Sequence, residues 1–377
     1  MQSRRTAMIL CQLIMASCCA SLGEASVAAA PASAACEPDA GLQFICGPKN
    51  VEDLVRIGDS RWLIGSGMDG ALTGTGSAHG HLYRIDHQKK TWEVAFPGPS
   101  PALRLDKSLY GDCPGPLNVN NFSAHGIALR EQARGRYRLY VVGHGDRESI
   151  EIFEVDARGS TPAFTWTGCV ALPDDVSANS VAILPDWGFV TTKFLDRTLP
   201  QAESMAQARQ GKLNGAVFEW HPGGKVMAIA GTELSAPNGI EVSPDGRTLY
   251  VAVFGSHEFV RFRRNGSTVK KDAIAVPLSA DNVRWSANGK LLTAGGNYAG
   301  PNAPRTTAWT VLEVDPESLD TRIAASGESS TGMQAVSVGL AVDGSIWVGT
   351  FGGDRIGYTR ARQASPPARS APRPLPE

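Results

Sequence analysis

The chain has 377 residues, with 36 Lys and Arg against 37 Asp and Glu and a formal net charge of −1. Neither sign forms a long run, so nothing marks nucleic acid or an anionic membrane surface as the main partner, and a protein acting on small molecules is the reading that remains. The length exceeds that of an ordinary single domain, but closed β architectures often run past about 250 residues as one unit.

The N-terminal 34 residues differ in kind from the rest. Arg4 and Arg5 precede an apolar stretch from Ala7 to about Ala20, and an Ala/Ser/Pro segment leads to Ala32-Ser33-Ala34. This is the pattern of a secretory signal peptide over residues 1–34, too short in its apolar part to be a transmembrane span. Ser3-Arg4-Arg5 hints at twin-arginine export. Met15-Ala16-Ser17-Cys18 is an imperfect lipoprotein-processing site, with Cys18 as the candidate lipid anchor. A periplasmic or secreted location follows. Cys36, Cys46, Cys113 and Cys169 would remain after cleavage, an even number suited to two disulfides in an oxidising compartment. Four cysteines allow three connectivities, and the sequence does not choose among them.

From about residue 50, short β-type runs alternate with Gly, Pro, Asn and Asp turns, while helical periodicity is scarce apart from Gln201 to Gln210. Trp62 to Ile64, Arg138 to Val142, Gly188 to Thr192, Leu249 to Val253 and Ser345 to Gly349 are examples of such runs. The runs group into repeating units, each opening on a polar residue followed by small and aliphatic ones. The openings are Glu52-Asp53-Leu54, His125-Gly126-Ile127, Asn179-Ser180-Val181, Asn238-Gly239-Ile240, Asp281-Asn282-Val283 and Gln334-Ala335-Val336. Positions 54, 127, 181, 240, 283 and 336 lie 73, 54, 59, 43 and 53 residues apart. Four strands need about 40 residues, so the spacing predicts an all-β six-bladed β-propeller over residues 35–361 and leaves no room for a seventh blade. The widest interval holds Gly65 to Gly80 and Gly98 to Pro116, read as long loops over one face. Residues 362–377, rich in Pro, Ala and Arg, read as a disordered tail.

In a propeller the first strand of each blade lines a central channel, so equivalent opening residues form a ring at one mouth. That ring would hold Glu52, Asn179, Asn238, Asp281 and Asn282. Their hard oxygens, two of them carboxylates, suit Ca²⁺, and the absence of sulfur and nitrogen ligands disfavours zinc or copper. Turn capping is the bland use of Asn and Asp, but several in register on one repeat are harder to explain that way. Two histidines join the ring. His125 opens the second unit, and a hairpin would return His144 beside it, giving a dyad suited to proton transfer. His257 follows the equivalent strand of the fourth unit and is a candidate for the same mouth. His79, His81, His87 and His221 fall outside this register. No G-x-S-x-G elbow, Walker loop, H-E-x-x-H motif or dinucleotide fingerprint occurs.

These residues together resemble the paraoxonase/arylesterase family, within the wider gluconolactonase and strictosidine-synthase-like calcium-dependent propellers. The resemblance covers roughly residues 45–360 and rests on Glu52-Asp53-Leu54, Phe122 to Ile127, Tyr140 to Phe153, Asn179-Ser180-Val181, Pro237 to Ile240, Tyr250 to His257 and Asp281-Asn282-Val283. It implies a catalytic Ca²⁺ held by Glu52, Asn179, Asn238, Asp281 and Asn282, a His125/His144 dyad, and His257 near the substrate. It also implies a second, structural Ca²⁺ on Asp53, the backbone of Ile127 and the position of Ser180, where Ser in place of Asp removes a carboxylate.

The expected activity is hydrolysis of lactones or aryl esters, with His125 deprotonating water and Asp281 as an alternative base weakened by its own metal contact. The rival is a non-hydrolytic propeller with a structural metal: a ligand-binding or scaffold protein, or a strictosidine-synthase-like enzyme. A small-molecule substrate and a monomer are expected in the first case.

Overall fold

A computed structural model describes residues 36–68, 79–266, 268–298, 308–330 and 332–361. The expected signal peptide, the Cys18 anchor site and the C-terminal tail therefore lie outside the described residues, as does most of the Gly65 to Gly80 segment. From Cys36 onward the chain is one unit, built as six sheets, antiparallel but for one added strand, arranged as a six-bladed β-propeller.

The six inner strands are Val51–Arg56, Phe122–Ala133, Val176–Ile183, Pro237–Val242, Leu278–Trp285 and Val336–Val342, and each touches the inner strands of the blades before and after it, closing a ring. The runs read from the sequence as second and third strands take those places in their blades, among them Trp62–Gly67 and His81–Asp86 in blade one. Blade six shows how the ring is closed. Its three inner strands come from the C-terminal end, and its outer strand is Gln43–Cys46, paired antiparallel with Arg355–Arg360. Hydrogen bonds between two segments far apart in sequence thus tie the ring shut, with Gln43–Cys46 as the outer edge of blade six.

Large apolar side chains fill the spaces between and within blades. Phe96 of blade one meets Phe153 of blade two edge-on at 4.8 Å between ring centroids, and Trp166, Trp309 and Trp347 are fully buried. Each such side chain contributes roughly 1.5–3 kcal/mol of burial. Disulfides join Cys36 to Cys46 and Cys113 to Cys169. The first lies beside the closing strand and the second anchors the segment before blade two.

Two expectations need correction. Gly98 to Pro116 is irregular, as expected, but not throughout: Ala102–Leu103 adds a fifth, parallel strand to the outer edge of blade two, and Cys113 is tied to Cys169 on the neighbouring strand. Main-chain bonds from Arg104 and Asp106 to Trp166 and Thr167 hold the same segment along that edge. The sixth unit also opens later than Gln334, which is exposed and precedes the strand. Its place in the ring is taken by Ser337. The helix Gln201–Arg209 does form, inserted between the second and third strands of blade three.

One irregularity recurs in every inner strand. The ladder shifts register between Val51 and Asp53, Ala124 and Ile127, Ala178 and Val181, Pro237 and Ile240, Ala280 and Val283, and Val336 and Val338. A β-bulge leaves one residue unpaired and re-aims side chains. The residues inside these six breaks include Glu52, His125, Asn179, Asn238, Asp281, Asn282 and Ser337. Gly126 and Gly239 sit in two of them because the next blade comes too close for a side chain. A Cβ on Gly239 would overlap the Asp281 carbonyl and lie 2.6 Å from the Asn282 Cα, and one on Gly126 would lie 2.6 Å from the Ser180 Cα. Gly239→Ala should therefore destabilise the protein by about 1–3 kcal/mol, as overpacking does, while Ala in place of the open Gly98, with nothing within 4 Å, should leave the denaturation midpoint unchanged.

Candidate functional site

The bulges bring the polar openings of five blades together as buried groups. Glu52, His125, Asn179, Asn238, Asp281 and Asn282 are all at most 4% exposed. The Asn282 amide donates to the Glu52 carboxylate at 2.6 Å and to the Glu52 carbonyl at 3.2 Å, tying blade five to blade one. The Ser337 hydroxyl donates to the same carbonyl at 2.6 Å from blade six. These bonds use amide nitrogens and hydroxyl hydrogens and leave side-chain oxygens over. Glu52 Oε2, Asn179 Oδ1, Asn238 Oδ1, Asp281 Oδ1 and Asn282 Oδ1 are buried without any hydrogen-bond partner.

Five orphaned oxygens on five residues of one ring are costly unless something satisfies them. The electrostatics point the same way. Burial pushes the Glu52 carboxyl well above the ordinary carboxylate range, reinforced by Asp281 and Asp53, and burial followed by Asp53 does the same to Asp281 against the opposing Asn238 amide. Two carboxyls and three amide oxygens match the donor chemistry of a hard cation such as Ca²⁺. Among the described residues no group of three or more His, Cys, Asp or Glu is set to hold a metal; here three of the five oxygens belong to amides.

On the opposite side of His125 runs a chain of hydrogen bonds. His144 lies across the hairpin from Ser123, on the strand Arg136–Gly145. His125 Nδ1 and His144 Nε2 are 2.8 Å apart, His144 Nδ1 and Glu148 Oε2 are 2.8 Å apart, and Glu148 Oε1 accepts the Ala178 N–H at 2.7 Å. A carboxylate at the far end sets the tautomers. His144 Nδ1–H donates to Glu148, so its Nε2 accepts from His125 Nδ1–H. His125 Nε2 is left with a lone pair, facing the Asn179 amide at 3.3 Å on the ring side. Glu52 Oε1 lies 3.6 Å from the same nitrogen, beyond a hydrogen bond. Burial, with His144 second, depresses the His125 pKa well below the usual histidine value.

Glu148 was absent from the sequence-derived set. Asp146, the nearer acid, instead bonds Asn118 and Asn121. The available signal was the four-residue spacing from His144 across a strand-end turn, which places Glu148 back against its ring. His257 stands apart from this relay. Its ring stacks on Tyr298 at 3.4 Å and lies 3.4 Å from the Ser279 hydroxyl, two residues before Asp281. Its backbone φ of 56° is uncommon for a non-glycine residue. His87 lies near Asp343 and packs on Trp347, and His221 is paired with Asp186. Asp53 and the Ile127 carbonyl, the groups expected to hold a second ion, are both bonded by Arg284.

No protein-family model matches the sequence, and no curated protein is similar to it in sequence. Solved structures do share its architecture. The fold is that of gluconolactonase- and regucalcin-like six-bladed propellers. A protein assigned as a gluconolactonase aligns with 86% of this chain and 94% of its own, at 14% identity and a TM-score of 0.53. A luciferin-regenerating enzyme aligns over 84% and 93%, at 11% identity and a TM-score of 0.52. Regucalcin from Agrobacterium tumefaciens, a calcium-binding protein, aligns over 85% and 94%, at 13% identity and a TM-score of 0.50. At such identities the likeness concerns the fold.

The depressed pKa of His125 has a direct readout. Its ring resonances, followed by NMR, should titrate with a midpoint below about 6.5, the unperturbed histidine value; a midpoint at or above it would contradict the buried, neutral imidazole described above.

Proposed function

We propose that the protein is an exported calcium-dependent hydrolase of lactones or aryl esters. The observation that carries this reading is the juxtaposition of five partnerless ring oxygens with a histidine lone pair on the same side. Glu52, Asn179, Asn238, Asp281 and Asn282 would hold Ca²⁺, which when bound supplies a Lewis acid for a carbonyl oxygen. The names of similar folds, a gluconolactonase and a calcium-binding regucalcin, support the class of activity and of ion.

The chain's own residues then account for the movement of a proton. His125 Nε2 removes it from the attacking water, and the resulting imidazolium is stabilised through Nδ1–H by His144. Glu148 holds His144 in the required tautomer and places a negative charge behind it, the same logic by which a carboxylate orients the histidine of a serine hydrolase. Asp281 is the alternative base, but it would share its charge with the cation and is the weaker one. Burial of the ring excludes bulk water, which strengthens each of these interactions. The two disulfides fit an oxidising compartment, and among the described residues no helix is long and apolar enough to cross a membrane.

A panel of lactones and aryl esters tests the reading. Turnover should vanish with chelator, return with Ca²⁺, and fall by about 10²–10⁴ in kcat for His125→Gln, while Asn238→Ala should chiefly weaken Ca²⁺ binding. Hydrolysis that survives both chelation and loss of His125 would sink the proposal, and an inert protein that only gains melting temperature with Ca²⁺ would favour a binding role. Glu148→Gln should lower kcat by about 10–10³ with KM little changed, because an amide facing His144 Nδ1 no longer selects the relay tautomer; kcat equal to wild type would remove Glu148 from the relay.

A further inference from the structure

Next to the ring of orphaned oxygens, the inner strands hold a second polar layer whose charged groups are all paired. Its centre is Arg284, two residues beyond Asn282 on the inner strand of blade five and only 3% exposed. The guanidinium bonds both carboxylate oxygens of Asp53, one of them through Nε at 3.0 Å. It also donates to the carbonyls of Leu54 at 3.2 Å, Ile127 at 2.6 Å and Val283 at 2.8 Å, and to Glu241 Oε1 at 3.2 Å. Six oxygens from the inner strands of four blades thus surround one cation that belongs to the chain. Asp53 is held in turn by the Leu54 and Ile127 N–H groups, each at 2.8 Å.

The two layers answer the same problem differently. Both bury acidic side chains among strands that converge on the axis, where an uncompensated charge is expensive. The ring leaves five oxygens without partners, whereas Asp53 and Glu241 meet a guanidinium whose planar fork suits several oxygens at once. Ser180, which follows Asn179 in blade three as Asp53 follows Glu52 in blade one, adds no charge to this layer; its hydroxyl is partnerless and makes no bond to Arg284.

We propose that Arg284 is a built-in cation occupying the second cation position of the channel. The protein therefore takes up at most one Ca²⁺, at the ring, and its inner strands are locked together without metal. The inference does not require that the ring be catalytic.

Calcium titration calorimetry and thermal unfolding of the full chain test it. Wild type should bind no more than one equivalent and should keep most of its melting temperature in chelator. Arg284→Ala should melt about 10 °C lower in chelator, gain one Ca²⁺ equivalent, and recover part of the loss on Ca²⁺ addition. If that variant does not fold, the triple change Arg284→Ala, Asp53→Asn and Glu241→Gln removes the stranded charges and should fold without gaining a Ca²⁺ equivalent. Two equivalents in wild type would overturn the proposal, and so would an Arg284→Ala protein matching wild type in both midpoint and stoichiometry. Zero equivalents in wild type would remove the catalytic-metal reading while leaving the role of Arg284 supported.

Discussion

Every blade presents a buried polar residue through the same local device: one extra residue in the inner strand that the ladder does not pair. In a regular strand, side chains alternate between the two faces of the sheet, and each face of a propeller blade packs against its neighbour. A regular inner strand would therefore bury its polar openings between blades. The bulge breaks this alternation at Glu52, His125, Asn179, Asn238, Asp281, Asn282 and Ser337 and frees those residues for the channel. The chemistry of the site is thus a consequence of sheet geometry repeated six times.

Convergence carries an electrostatic penalty that the chain manages in two ways. Glu52 and Asp53 are adjacent in sequence, yet Glu52 joins a ring whose oxygens are unsatisfied while Asp53 is enclosed by Arg284 and two backbone N–H groups. The lower layer is complete as folded. The upper layer is left with five buried oxygens that nothing in the chain satisfies, the feature on which the proposed cation site rests. A site that must bind and release needs this asymmetry, since a layer already satisfied from within has nothing to offer an exchangeable partner.

The blade count was legible because a propeller repeats its strand pattern at intervals that even variable loops do not hide. The ring residues were legible for a related reason: polar residues opening aliphatic strands in register stand out against a repeat. The sixth unit misled because Gln334-Ala335-Val336 imitates the pattern three residues early, and only strand pairing places Ser337 in the break. Glu148 and Arg284 were missed because neither recurs from blade to blade. Arg284 in particular reads as the polar position of an alternating strand, and its burial depends on contacts with residues more than 150 positions away in blades one and two. The pairing of Cys113 with Cys169 likewise depends on an edge strand too short to be read from sequence.

The relay behind His125 shows how much of the site lies outside the repeat. Glu148 accepts the N–H of Ala178, the residue immediately before Asn179, so one carboxylate fixes both the His144 ring and the start of the next blade's bulge. Gly126 follows His125 in its own bulge and lets the backbone of Asn179 and Ser180 approach within side-chain distance. His125 and a ring amide are therefore registered to each other through main chain at two points, not only through the 3.3 Å contact between their side chains. A displacement of the blade-two strand would move His125 and Asn179 together. The arrangement fixes their relative geometry, the quantity on which transfer of a proton to the His125 ring would depend most steeply.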